Sequence, residues 1–257
     1  MGSNTLVKIL VGFSVTLLLL FAVAEGGLRY VIHKELTASQ SEGTEVEFGT
    51  RPLVLSLLQG KLGYVEMTKP STLEFSNVDG QISASGEPAA HVVLRGMPIS
   101  EDPEALIDSV YLDTTIPKEF IQAQLQSAMR EAFSSEQPQG DGLLDSAFLA
   151  MQFSVSDVRT NPKSDTFEIV FGDGIASIEV HPHAIDGKFQ LTVEETNLFG
   201  FGLPDIVADY FTKGFADSTA LEMFDGLTAS TVEVTDEGLH VVFEGTDVKL
   251  SSLQATL

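Results

Sequence analysis

The chain has 257 residues, a formal net charge of −23, and neither cysteine nor tryptophan. Without cysteine there is no disulfide framework, no thiolate metal site and no cysteine nucleophile. Lys8, Arg29, Lys34, Glu25 and Glu35 fall in the first 35 residues, so the remainder carries 11 basic and 35 acidic side chains, net −24, with no basic cluster to meet nucleic-acid phosphates.

The first element is the run Ile9 to Ala24, ILVGFSVTLLLLFAVA, which holds no charge. As a helix its 16 residues rise about 1.5 Å each, roughly 24 Å, a little short of a ~30 Å hydrocarbon core. Leu28, Tyr30, Val31 and Ile32 can extend the apolar face. A core helix is seldom uncharged all round, so the run predicts a segment that enters the bilayer or the secretion channel. An uncleaved anchor is the favoured reading. The alternative is a signal peptide cut after Ala22-Val23-Ala24, a small-x-small site that makes Glu25 the first mature residue. Arg29 and Lys34 lie beyond the run and do not fix its orientation. Met1-Gly2 is not a myristoylation signal, because position 6 is Leu6. Residues 1–36 therefore read as anchor or signal segment, and 37–257 as one extracytoplasmic domain, at the outer face of the plasma membrane or in a periplasm.

Thr37 to Glu45 is a small, polar linker. Val46 to Phe48 reads as a short strand. Pro52 to Leu58, closed by Gln59-Gly60, reads as a helical turn or two, with proline in the first turn and glycine past the end. Period-two alternation then marks strands around Val65–Met67 and Leu73–Phe75, with Asp79-Gly80 as a hairpin signal, and further strands over Ala90–Gly96 and Ser109–Thr114. Pro117 to Phe133 is an amphipathic helix whose stripe is Phe120, Ile121, Leu125, Ala128, Met129, Ala132 and Phe133. Ser134 to Gly142 reads as a connection. Strands resume over Phe153–Arg159, Thr166–Phe171, Gly174–Val180 and Lys188–Glu195, with a turn at Asp186-Gly187. Leu203 to Phe215 is a second amphipathic helix, and two strands about Asp236-Glu237-Gly238 close the chain. Short links between strands imply antiparallel pairing, hence an α+β fold.

No catalytic motif is present. Gly172-Asp173-Gly174 matches only half of a dinucleotide signature and leads into a strand. His181 and His183, two apart on a strand, share a face and could hold a metal, but no third ligand is picked out, so neither a metal nor a cofactor is expected. His91 and His240 read as surface or satisfied histidines. Apolar side chains are abundant on both helices and several strands. They fill an ordinary core, or they line an elongated cavity for acyl chains beneath a sheet wrapped round the helices.

Three stretches carry a resemblance. The N-terminal apolar helix ends in Glu25 and Arg29. A strand then leads to Arg51-Pro52-Leu53-Val54-Leu55-Ser56-Leu57-Leu58-Gln59-Gly60. Near the end stands VEVTDEGLHVVFEGTDV, from Val232 to Val248. In order and spacing these resemble the LmeA-like phospholipid-binding family of actinobacterial cell envelopes. The resemblance implies a long, twisted antiparallel sheet around helices, similar to tubular lipid-binding proteins. It also implies a phospholipid ligand, phosphatidylinositol-like among the possibilities, and a part in assembling mannosylated glycolipids. The strong acidity and the Ser134–Gly142 insertion depart from it, and it supplies no catalytic residues. The expected lipid-binding residues are Leu53, Leu55 and Leu58 on the first helical turn, Phe120, Ile121, Leu125 and Met129 on the middle helix, and Ile206, Val207, Tyr210, Phe211 and Phe215 on the second. The expected function is thus a non-enzymatic, envelope phospholipid-binding protein that supports lipid or lipoglycan assembly, with no nucleic-acid partner. The alternative is a non-catalytic envelope scaffold with a filled core, and a hydrolase stands third.

Overall fold

A computed structural model describes residues 22–34, 43–78, 80–100, 102–135, 154–198 and 226–254. Within them, helix α1 covers residues 22–34. Strand β1 (Glu45–Phe48) leads to helix α2 (Leu53–Gln59), which Pro52 opens and Gly60 ends at φ 68°. The strands β2 (Lys61–Lys69), β3 (Glu74–Val78), β4 (Gln81–Ser85), β5 (Ala90–Pro98) and β6 (Leu106–Pro117) follow, then helix α3 (Lys118–Ser135). Next come β7 (Val155–Asn161), β8 (Thr166–Phe171), β9 (Ala176–Ile185), β10 (Lys188–Leu198), β11 (Thr228–Val234), β12 (Gly238–Lys249) and the short helix α4 (Leu250–Gln254). This is the α+β class that the short strand connections predict, and every strand pair is antiparallel.

The strands form a six-stranded sheet in the order β1-β2-β5-β6-β12-β11, a four-stranded sheet β10-β9-β8-β7, and the hairpin β3-β4. The hairpins obey local turn chemistry. Ile185 faces Lys188 across a two-residue loop in which Asp186 and Gly187 have φ of 51° and 76°. Two successive positive φ values are what a tight hairpin needs to match the twist of its strands. Long-range pairing is less local. The last hairpin returns to the sheet built by the first half, with β12 beside β6 from Gly238↔Pro117 to Lys249↔Leu106. The connection read over Ser134–Gly142 therefore does not separate two halves with independent sheets.

Alternation on the strands decides the interior. Val65 and Met67, Val92 and Leu94, Val110 and Leu112, and Val241 and Phe243 are buried on one face of the large sheet. Phe167, Ile169 and Phe171, with Ala176, Ile178 and Val180, are buried on one face of the four-stranded sheet. Both sets belong to one hydrophobic cluster, which Leu125 and Met129 of α3 join. The free edge of β11 is not left open. The Ala229 N–H donates to Gly187 O at 2.8 Å, and the Val234 N–H donates to Asp165 Oδ1 at 2.5 Å. Turns of the four-stranded sheet thus occupy backbone donors that would otherwise template another strand. At Gly187 a Cβ would lie 2.3 Å from Thr228 Cγ2, so glycine is needed there for packing as well as for φ.

Candidate functional site

Of the residues expected to meet lipid, the structure brings one group together inside. Leu53, Leu125 and Met129 are buried in the shared cluster, and Ile121 is half-buried against it. Phe120 is half-buried on α3. Leu55 and Leu58 do not join them: α2 turns its Leu53 and Ser56 side inward, which leaves Leu55 40% and Leu58 80% exposed. Over only seven residues the helix has one inward stripe, and a leucine-rich sequence must expose the rest. Ile206, Val207, Tyr210, Phe211 and Phe215 lie outside the described residues.

On α3 the buried stripe includes two polar residues that an apolar pattern does not reveal. Gln122 and Gln126 are buried beside Leu125 and Met129. Gln122 Nε2 donates to Ser156 O at 2.9 Å. Gln126 Nε2 donates to Val155 O at 2.6 Å and to Gly80 O at 3.3 Å, while Gln126 Oε1 accepts the Ile82 N–H at 2.7 Å. A primary amide offers two donors and an acceptor. It can therefore pair strand-edge groups on both sides of the helix, those of β7 and those of the β3–β4 hairpin. The apolar stripe read from the sequence leaves these glutamines out, and only their partners show why amides are required.

Glu25 and Arg29 have a definite role in this geometry. The Glu25 carboxylate accepts the N–H of Leu53 at 2.9 Å and of Val54 at 3.1 Å, capping the first turn of α2. Arg29 Nε donates to Glu25 Oε1 at 2.8 Å, and its Nη2 donates to Gly49 O at 3.1 Å. Partial burial alone would raise the Glu25 pKa. The two backbone N–H groups and the Arg29 guanidinium outweigh it and hold the carboxyl below its ordinary value of 4.5. One acid and one base thus fasten α1 to the turn between β1 and α2.

The solvent side of the large sheet is polar. Tyr64 donates to Glu66 Oε2 at 2.5 Å, and Glu66 Oε1 lies 2.8 Å from His91 Nε2. The arrangement repeats two strands on: Tyr111 donates to Asp113 Oδ2 at 3.2 Å, and Asp113 Oδ1 lies 3.0 Å from His240 Nε2. Hydrogen bonds from Tyr64 and His91 lower the Glu66 pKa. Both lone histidines are thus satisfied by acids. On the four-stranded sheet His181 and His183 share a face, with ring centroids 5.2 Å apart, and His181 contacts Glu194 at 3.2 Å and Asp165 at 3.6 Å. No group of three or more potential ligands among the described residues is arranged to hold a metal. Among the described residues no helix is long and apolar enough to cross a membrane, and the uncharged run up to Phe21 lies outside them.

The arrangement is thus an apolar interior shared by two sheets and bordered by an amide-pinned helix, with the Glu25–Arg29 clamp joining α1 to α2. No curated protein and no solved structure shows significant similarity to the chain. The model of the LmeA-like phospholipid-binding family matches residues 22–244, from the helix that carries the Glu25–Arg29 clamp to Glu244 on strand β12, and the chain belongs to that family.

Proposed function

We propose that the protein is a membrane-tethered, extracytoplasmic phospholipid carrier that holds acyl chains in its apolar interior and supports envelope lipid or lipoglycan assembly without transforming the lipid. The family membership carries this reading, since it is a phospholipid-binding family. The interior chemistry agrees with it: among the described buried residues, polar or charged groups are limited to Ser56, Gln122, Gln126 and Thr166. Gln122, Gln126 and Thr166 spend their side-chain hydrogen bonds on other protein groups. What remains is aliphatic, methionine and phenylalanine surface, against which each buried methylene gains roughly 0.8 kcal/mol.

In this proposal the N-terminal run stays attached as an anchor, and Tyr210, Phe211 and Phe215 are among the residues that contact the acyl chains. The ligand is a phospholipid, with a phosphatidylinositol-like headgroup as the variant to test first. Purification of the full chain in mild detergent, followed by native mass spectrometry and organic extraction, tests the reading. A stoichiometric phospholipid is the expected result. A clean apo mass with no uptake of added phospholipid overturns it in favour of a scaffold with a filled core.

A further inference from the structure

We infer that the exposed leucine face of α2 rests on the phospholipid leaflet that the N-terminal run enters, so that this end of the molecule faces the bilayer. The inference rests on the proposed anchoring of that run. The uncharged stretch Ile9–Ala24 ends one residue before Glu25. The Glu25 carboxylate is itself bonded to the Leu53 and Val54 N–H groups of α2. The first turn of α2 is therefore within hydrogen-bond reach of the point where the run ends, and Arg29 holds the preceding turn through Gly49 O at 3.1 Å and Arg51 O at 3.4 Å.

What α2 presents there is apolar. Leu55, Leu57 and Leu58 are 40%, 46% and 80% exposed. Beside them Ile99, also exposed, is tied to the end of the helix by its N–H to Gly60 O at 2.9 Å. Three leucines outward on one short helix form a patch of the kind that marks an interaction site, whereas single exposed leucines do not. Charge selects a lipid surface as the occupant. From Phe48 to Val65 there is no Asp or Glu, while Arg51 and Lys61 are both present. In a chain of net charge −23, a stretch that holds no acid and carries Arg51, with Lys61 balanced by its ion pair to Asp108, is a place where an anionic leaflet is repelled least. An amphipathic helix of this character lies in the interface plane, its leucines among the upper acyl carbons.

The chain contains no cysteine, so a single introduced one can carry an environment-sensitive fluorophore. The test places it at Leu58→Cys, and at Ser85→Cys on the exposed hairpin strand β4, in full-length protein reconstituted into phosphatidylcholine–phosphatidylglycerol vesicles. The expected result is a blue-shifted label at position 58, quenched by nitroxide-bearing lipid and shielded from aqueous iodide, with the label at position 85 showing the reverse. If the protein floats with the vesicles but both labels are quenched equally by iodide, the docking is wrong and the anchor stands. If the protein does not float with the vesicles, the anchor is wrong and the docking falls with it. Adding Leu55→Ser and Leu57→Ser to the position-58 variant should raise its iodide quenching several-fold, and no change on that substitution also overturns the assignment.

Discussion

Gln126 occupies a buried position on the apolar side of α3, yet its amide meets two carbonyls and one N–H of the backbone. Leaving a buried donor or acceptor unpaired costs about 1–3 kcal/mol per group, so Gln126→Leu should destabilise the fold by roughly 2–4 kcal/mol in urea unfolding. A loss under about 0.5 kcal/mol would mean that these backbone groups find other partners. Glu25 gives a prediction with a sign. Its folded pKa is depressed below 4.5, so the stability it contributes is fully present above that value and is lost as the pH falls through the lower folded pKa. Protection of the Leu53 and Val54 amides against hydrogen exchange should therefore fall on acidification below pH 4.5, and Glu25→Gln should show reduced protection already at neutral pH. Equal protection in the variant and the parent at neutral pH would show that the clamp does not hold the helix.

At the scale of elements, α2 and α3 respond differently to loss of a leucine. Leu125 is buried between α3 and the sheets, and Leu→Ala at such a site costs about 2–5 kcal/mol. Leu58 is 80% exposed, so Leu58→Ala should change stability by less than about 0.5 kcal/mol. Comparable losses from both would mean that Leu58 is covered in solution. The period-3.6 stripe identifies α3 correctly, and it names Leu125 and Met129. It cannot identify Gln122 and Gln126 as interior residues, because their burial depends on the edges of β7 and of the β3–β4 hairpin, both remote in sequence.

For the whole molecule, the side of the membrane and the lipid cargo are the decisive measurements. A reporter active only outside the cytoplasm, fused after Leu257, should be active, and peptides from residues 1–24 should be found in the membrane fraction. A mature start at Glu25 would leave export in place and remove the anchor. Phe211→Ala separates a lipid lining from a dry core. In a packed core it should cost about 3–5 kcal/mol of lipid-free stability. In a lipid-lined interior it should cost much less and weaken lipid uptake. Collapse of the lipid-free fold with unchanged uptake per folded molecule would make Phe211 a core residue and not a lipid contact.

The sequence by itself determined the strands, their turns, α3 and the α+β class. Each of these is written in nearest-neighbour terms: alternation along a strand, Asp186-Gly187 at a hairpin, and proline and glycine at the ends of α2. The order and spacing of Glu25, Arg29, the Arg51–Gly60 stretch and the Val232–Val248 stretch also carried the family, which the match over residues 22–244 bears out. Tertiary structure alone decided which side of α2 faces inward, that β12 inserts beside β6, that Glu25 caps a helix 28 residues away, and that Tyr–acid–His groups line one sheet face. The physical reason is separation along the chain. A side chain's neighbours within a turn or a strand follow from its own sequence, whereas the partners of Glu25, Gln126 and His240 are brought to them only when distant strands pair.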